Sequence, residues 1–81
     1  MEKTIHSREY AALLQMLRAA REEAGLTQVE LAARLGQTQS FVSKMERGDR
    51  RLDIMQLRTV CQVLGLPLQA FVKRWEAALD P

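Results

Sequence analysis

The sequence has 81 residues, of which 47% are hydrophobic, 27% charged and 5% aromatic. This length and composition predict a single small folded domain over residues 1–81 rather than a disordered chain. The single cysteine, Cys61, excludes an internal disulfide and favours a reducing cytoplasm. No Cys/His cluster suits a metal, no signal peptide is evident, and no run approaches the roughly 20 apolar residues that span a membrane.

The net charge of +2 is distributed unevenly along the chain. Residues 1–33 carry a net charge of −1, residues 34–51 carry +3, and residues 52–81 are neutral. A face that binds a polyanion would have such a local excess of cations. An ordinary solvated surface would permit it too, so charge alone leaves both interpretations open.

Helix start and stop signals recur along the chain and predict an all-α fold. Thr27 and Asp53 each begin a capping box, Thr38 can cap a third helix, and Pro67 suits the first turn of a fifth. Each glycine follows an apolar-periodic segment, where a helix end favours a left-handed residue. These glycines are Gly25, Gly36, Gly48 and Gly65. The predicted helices cover about 8–24, 28–35, 39–47, 53–64 and 67–78, and only the segment 3–6 shows strand-like alternation.

Apolar side chains recur at helical spacing in the first, second, fourth and fifth predicted helices and can fill one core. They are Tyr10, Leu13, Leu14, Leu17 and Ala24; Leu31, Ala32 and Leu35; Ile54, Leu57, Cys61 and Leu64; and Leu68, Phe71, Val72, Trp75 and Leu79. The fifth helix carries more large apolar groups than a monomer of this size needs. We therefore predict a homodimer interface of Phe71, Trp75 and Leu79, with the N-terminal segment as a second element.

One cation interrupts the apolar stripe of the first helix. Arg21 lies four residues after Leu17, where an unpaired charge would be costly. Glu46 lies at the border between the apolar and polar faces of the third helix. These positions predict a structural Arg21–Glu46 ion pair that holds the first helix against the third.

The third predicted helix has one apolar side and one polar side. Val42 and Met45 occupy the apolar side. The polar side consists of Gln39, Ser40, Ser43, Lys44 and Arg47. Glutamine can bind adenine through two hydrogen bonds, lysine can reach guanine, serine can donate or accept, and cations can neutralise phosphate. A solvated helix face is the alternative, but such a face usually mixes glutamate with lysine.

Three further residues are candidates for phosphate contacts. Gln28 begins the second helix, where free backbone N–H groups favour an anion, although it also suits an ordinary first-turn position. Arg50 and Arg51 follow the third helix and could reach the DNA backbone, or they could lie in a solvated turn.

The segment GLTQVELAARLGQTQSFVSKMERGDRRLDIMQLRTVCQVLGL closely resembles the Cro/phage-repressor-like (XRE-type) helix-turn-helix family. The resemblance covers about residues 10–72 and rests on a combination of short motifs. These are Gly25-Leu26-Thr27-Gln28, Glu30-Leu31-Ala32, Gly36, Ser43-Lys44-Met45-Glu46, Gly48 and Asp53.

The resemblance implies a compact five-helix, lambda-repressor-like DNA-binding domain whose second and third helices form the helix-turn-helix. It also implies that the third helix enters the major groove, that Gln39, Ser40 and Lys44 face bases, and that Gln28 and Thr38 contact the DNA backbone. Gln28 would also support the first recognition residue, and the Arg21–Glu46 pair is a family feature. Ser40 is shorter than the long polar residue of some members, which weakens the case for a direct base contact there.

Catalysis is not expected. His6 is the single histidine, Cys61 lies on an apolar stripe, and neither a glycine-rich phosphate loop nor a carboxylate cluster is present. An antitoxin or adaptor that uses the same fold for a protein partner is the main alternative, but the basic third helix disfavours a pure adaptor, and little chain follows the fifth helix to hold a toxin.

We therefore expect a sequence-specific double-stranded DNA-binding transcriptional regulator. It would act as a repressor and bind a (pseudo)palindromic operator as a homodimer. The expected base contacts come from Gln39, Ser40, Ser43 and Lys44, and the expected phosphate contacts come from Gln28, Thr38, Arg47, Arg50 and Arg51. No cofactor, metal, membrane or small-molecule effector is expected.

Overall fold

The computed structural model describes residues 7–80, which form five α-helices and no strand. The helices are α1 (Arg8–Glu23), α2 (Gln28–Leu35), α3 (Gln39–Arg47), α4 (Ile54–Val63) and α5 (Leu68–Leu79). Each begins and ends within one residue of its predicted bounds, so the five-helix, all-α prediction is confirmed. The predicted strand-like segment, 3–6, lies outside the described residues.

Side chains fix the starts of the first four helices. Ser7, Thr27, Thr38 and Asp53 each accept a hydrogen bond from a backbone N–H in the first turn of the helix that follows. In contrast, Pro67 has no side-chain cap to offer. It precedes α5 with extended backbone (ψ 133°) instead of occupying the first helical turn as predicted.

The turn between α2 and α3 depends on Gly36, which ends α2 in the left-handed conformation with φ +69°. Its N–H donates to the carbonyl of Ala33 at 3.2 Å, and the next N–H, of Gln37, donates to Ala32 at 2.9 Å. The chain then needs only Gln37 and Thr38 before α3 begins. This tight turn therefore holds α2 and α3 close to each other.

The core lies where all five helices meet, with α1 against α3 and α5, and α4 against α2 and α5. Its buried members are Leu13, Leu14, Leu17, Leu31, Ala32, Val42, Met45, Leu57, Val60, Cys61 and Phe71. Ile54 is not among them, contrary to the predicted stripe, and is 62% exposed. The first turn of α4 is exposed at Ile54 and Met55, and the buried positions of the helix are Leu57, Val60 and Cys61.

The predicted dimer interface needs one correction. Phe71 is only 2% exposed, so its side chain completes the core of a single chain and cannot also lie between two chains. Trp75 and Leu79, one and two turns further along α5, are half-buried. Trp75 also donates its indole N–H to the carbonyl of Glu9 at 2.9 Å, which fixes α5 against the start of α1.

The left-handed backbone of Gly36 leads to a stability prediction. Gly36→Ala is expected to lower the free energy of unfolding by about 1–2 kcal/mol, because an L-residue disfavours this conformation. Nothing lies within 4 Å of an added Cβ, so no steric clash contributes. Urea denaturation would measure the change. Gly36→Asn is the matched control and should cost less, since asparagine tolerates left-handed backbone. An alanine variant as stable as the unmodified protein would contradict this account.

Candidate nucleic-acid interface

Helix α3 separates buried apolar side chains from an exposed polar face. Val42 and Met45 are 0% and 1% exposed and anchor the helix in the core. On the other side, Gln39, Ser40, Lys44 and Arg47 are exposed, and Ser43 is half-buried. The predicted base-facing residues therefore share one accessible surface, which is the arrangement that base readout requires.

Helix α2 supports α3 and presents its own N-terminus beside it. Leu31 and Ala32 are buried in the core. The start of α2 is fixed by a reciprocal capping box, in which the Thr27 hydroxyl accepts from the Glu30 N–H at 3.1 Å and the Glu30 carboxylate accepts from the Thr27 N–H at 2.8 Å. Gln28, the first residue of α2, is thus held at a well-defined position.

A buried ion pair joins α1 to α3. Arg21 Nε lies 2.7 Å from Glu46 Oε2 and Arg21 Nη2 lies 3.1 Å from Glu46 Oε1, while Nη1 donates to the Leu26 carbonyl at 2.8 Å. The two side chains are only 9% and 5% exposed. The hydrogen bond with Glu46 raises the pKa of Arg21 above its ordinary value, against the opposing effect of burial. The guanidinium therefore stays charged.

Two glutamine side chains link the ion pair to the exposed face of α3 by hydrogen bonds. Gln28 Nε2 donates to Glu46 Oε1 at 2.9 Å, and Gln39 Nε2 donates to Gln28 Oε1, also at 2.9 Å. A carboxylate only accepts hydrogen bonds, so Gln28 must turn its NH2 group toward Glu46 and its oxygen toward Gln39. Gln39 consequently keeps its amide oxygen and a second N–H for another partner. The residue types alone did not predict the Gln28–Glu46 bond.

Arg47 and Ser43, for which the sequence predicts separate roles, contact each other. Arg47 Nη1 donates to the Ser43 hydroxyl at 2.7 Å, and Arg47 Nε lies 3.0 Å from the Asp49 carboxylate. In the sequence, Asp49 is one of the two acidic residues of the cationic segment 34–51, and no pairing is predicted for it. Residues two apart do not face each other on a continuous helix, so helical spacing gives no signal for the Arg47–Asp49 pair, which forms where α3 ends at Gly48.

The two arginines after α3 lie over aromatic rings. The guanidinium carbon of Arg50 is 4.8 Å from the centroid of the Phe41 ring, and that of Arg51 is 4.9 Å from the centroid of the Tyr10 ring. Both distances are within the range of cation–π attraction. Arg50 and Arg51 are exposed and extend the cationic surface beyond α3.

Comparison with known proteins agrees with this geometry. A family profile described as helix-turn-helix matches residues 17–71. An XRE-family-like protein from Pseudomonas syringae pv. tomato str. DC3000 superposes with a TM-score of 0.86 at 49% identity, covering 96% of this chain and 94% of that one. The chain belongs to the XRE family of helix-turn-helix proteins. The family resemblance inferred from the sequence motifs is therefore confirmed.

Two other helix-turn-helix proteins are similar to this chain. The clp gene regulator ClgR from Corynebacterium glutamicum has a TM-score of 0.77 at 26% identity, over 89% of this chain and 77% of that one. The uncharacterized HTH-type transcriptional regulator y4dL from Sinorhizobium fredii (strain NBRC 101917 / NGR234) is 39% identical over 67 residues, which is 83% of this chain. This chain spans 34%, about a third, of the length of y4dL.

Other features of this helix-turn-helix protein bear on rival activities. The family is one of transcriptional regulators and not of enzymes, which confirms that aspect of the sequence prediction. Cys61 is buried, and burial raises the pKa of its thiol, so it is a poor nucleophile at neutral pH. Among residues 7–80, no group of three or more His, Cys, Asp or Glu side chains could hold a metal. No helix in the same range is long and apolar enough to cross a membrane.

The structure also has an open apolar groove of about 340 Å³ between α2, α3 and α4. Leu35, Phe41, Met55 and Val60 provide its apolar surface, and Asp53 is among its polar lining residues. This groove was not anticipated from the sequence, because its lining residues come from three helices that are brought together only by folding.

The buried ion pair leads to a prediction about stability. Glu46→Leu is expected to lower the free energy of unfolding by about 3–5 kcal/mol, because it leaves the Arg21 charge buried without its partner. The double variant Arg21→Met/Glu46→Leu should recover most of this loss, since it removes both charges. A double-mutant cycle by urea denaturation would measure the coupling. Additive effects of the two single substitutions would show that the pair is not energetically coupled.

Proposed function

We propose that this protein is a sequence-specific, double-stranded DNA-binding transcriptional regulator that inserts α3 into the major groove. The observation that carries the proposal is the exposed polar face of α3, which presents amide, hydroxyl and ammonium groups without a carboxylate. Glu46, the single carboxylate of α3, is turned away and bonded to Arg21. A negative group at the centre of this face would repel the phosphates that flank the groove.

Four side chains are proposed to face the bases: Gln39, Ser40, Ser43 and Lys44. Gln39 retains a donor and an acceptor after its bond to Gln28, the combination that adenine recognition uses. Lys44 can donate to the acceptors of guanine. Ser43 becomes available when Arg47 turns to another partner.

Five side chains are proposed to contact the phosphate backbone: Gln28, Thr38, Arg47, Arg50 and Arg51. The Thr38 hydroxyl accepts from the Phe41 N–H at 3.1 Å, and its own hydrogen can be donated to a phosphate oxygen. Arg47 would exchange Asp49 for phosphate. Both partners of that ion pair are at least half-exposed, and exposed pairs are weak, so DNA can displace it.

The protein is further proposed to act as a homodimeric repressor. A two-fold dimer would place two copies of α3 about 34 Å apart, on successive major grooves of a (pseudo)palindromic operator. Trp75 and Leu79 on α5 are the proposed dimer contacts, because both remain half-buried in one chain and lie beside each other on its surface. Repression is proposed because a protein that is bound at a promoter can block transcription without any further activity.

DNA binding is tested by titrating the protein with labelled random duplexes and by selecting the sequences that bind. The expected result is an enriched inverted repeat, with affinity that falls steeply as salt rises because counterions are released. Gln39→Ala should change the preferred base and cost a factor of roughly 5–150 on the selected site, whereas Arg50→Ala should weaken binding to all sequences and flatten the salt slope by about one unit.

The two variants serve as controls for each other in this experiment. If Gln39→Ala lost affinity equally on every duplex, the assignment of base reading to Gln39 would be wrong. Absence of salt-dependent binding to any duplex would overturn the DNA-binding proposal and favour an adaptor or antitoxin that recognises a protein.

The dimer proposal is tested separately by sedimentation equilibrium. Leu79→Arg is expected to convert the dimer to a monomer, because it places a charge in an apolar contact. Gln69→Arg, an exposed position near the start of α5, is the matched charge control and should leave the dimer intact. A Leu79→Arg protein that remains dimeric would remove the end of α5 from the interface.

A further inference from the structure

Tyr10 connects α1 to the α3–α4 loop, which consists of residues 48–53. Its hydroxyl oxygen accepts a hydrogen bond from the Leu52 N–H at 3.0 Å and lies 3.5 Å from the Arg50 carbonyl, to which it can donate. These contacts join residues that are 42 and 40 positions apart in the sequence. Tyr10 is half-buried and packs against the hydrophobic core, so the position of its ring relative to the loop is fixed.

The same ring lies beneath one of the loop's cations. The Arg51 guanidinium is 4.9 Å from the Tyr10 ring centroid, and the preceding cation, Arg50, lies over Phe41 at 4.8 Å. Stacking engages the flat face of a guanidinium, whereas phosphate is bound through the N–H groups at its edge. An arginine can therefore be oriented by a ring and bind phosphate at the same time.

We infer that Tyr10 is a positioning residue for DNA binding: it holds the α3–α4 loop in the conformation in which Arg50 and Arg51 meet the phosphate backbone. This inference rests on the proposed DNA-binding function. Tyr10 acts through the loop and through Arg51, and its role is to order the chain before DNA arrives. Without the hydroxyl, the Leu52 N–H loses its partner, and the loop must be ordered at the moment of binding at a cost in affinity.

Positioning differs measurably from charge neutralisation. Arg50→Ala removes a cation and so reduces the number of counterions released, which flattens the log–log dependence of affinity on salt by about 0.9. Tyr10→Phe keeps every cation and the aromatic ring and removes only the hydroxyl. It should weaken binding to all duplexes about fivefold while leaving the salt slope unchanged.

The first measurement uses the full chain without DNA. Amide hydrogen exchange at Leu52 is followed by NMR, with the buried-helix amide of Val60 as the internal reference for global unfolding. Tyr10→Phe is expected to speed exchange at Leu52 relative to Val60, because the hydrogen bond to the hydroxyl is gone. Unchanged protection of Leu52 would overturn the inference, whatever the outcome with DNA.

The second measurement titrates each variant with one random-sequence duplex at several salt concentrations. Cys61→Ala is the control for lost stability alone, since Cys61 is fully buried and lies in α4, away from the loop. The inference is supported if Tyr10→Phe binds about fivefold more weakly with an unchanged slope and Cys61→Ala binds normally. It is overturned if Tyr10→Phe binds as the unmodified protein does, or no worse than Cys61→Ala.

The two proposals fail in distinguishable ways. If the unmodified protein shows no salt-dependent DNA binding, the proposed function and the positioning role of Tyr10 both fail. Exchange at Leu52 would still show whether the Tyr10 hydroxyl protects the Leu52 N–H. If the unmodified protein binds DNA and Tyr10→Phe flattens the salt slope as Arg50→Ala does, only the positioning role fails, because a phosphate contact has then been lost.

Discussion

The orientation of the candidate interface depends on the buried Arg21–Glu46 ion pair. Burial of two charges is costly, and their mutual attraction compensates only with good geometry and additional hydrogen bonds. Both conditions are met here, because the guanidinium makes two bonds to the carboxylate and a third to the Leu26 carbonyl. Among residues 7–80, no buried side-chain nitrogen or oxygen is left without a partner. The pair therefore favours one placement of α3 against α1 over others.

The buried ion pair also constrains the exposed face, because each hydrogen bond in the series determines which end of the next amide donates and which accepts. Glu46 determines which end of the Gln28 amide faces inward, and Gln28 in turn engages one N–H of Gln39. Each member of the series is more exposed than the one before, from the buried pair to half-buried Gln28 and exposed Gln39. A charge that contributes to folding thus also limits how an exposed amide can be presented. The Glu46 carboxylate therefore both pairs with Arg21 in the protein interior and orients the amides of the candidate interface.

Helix bounds, the core and the polar face of α3 could be predicted from the sequence because each depends on local signals. Caps, glycines and apolar periodicity act within a single helix, and the Arg21 anomaly was visible as a cation in an apolar stripe. The remaining features depend on relations between helices. Ile54 is exposed, and Phe71 is buried in the core and unavailable to a dimer interface, because helical periodicity does not say which apolar positions a neighbouring helix covers. The Tyr10 contacts with the α3–α4 loop span about 40 residues and leave no local signature.

The Arg47–Asp49 pair has a kinetic consequence if the protein binds DNA as proposed. A regulator must leave random sequences quickly to find its operator among a large excess of competing sites. Asp49 is tethered two residues from Arg47, so it competes for that guanidinium at high local concentration whenever a phosphate contact loosens. The carboxylate would shorten the residence time most on non-cognate DNA, where base contacts do not supplement the phosphate contacts. An acidic residue within a cationic surface can therefore speed the search for a target.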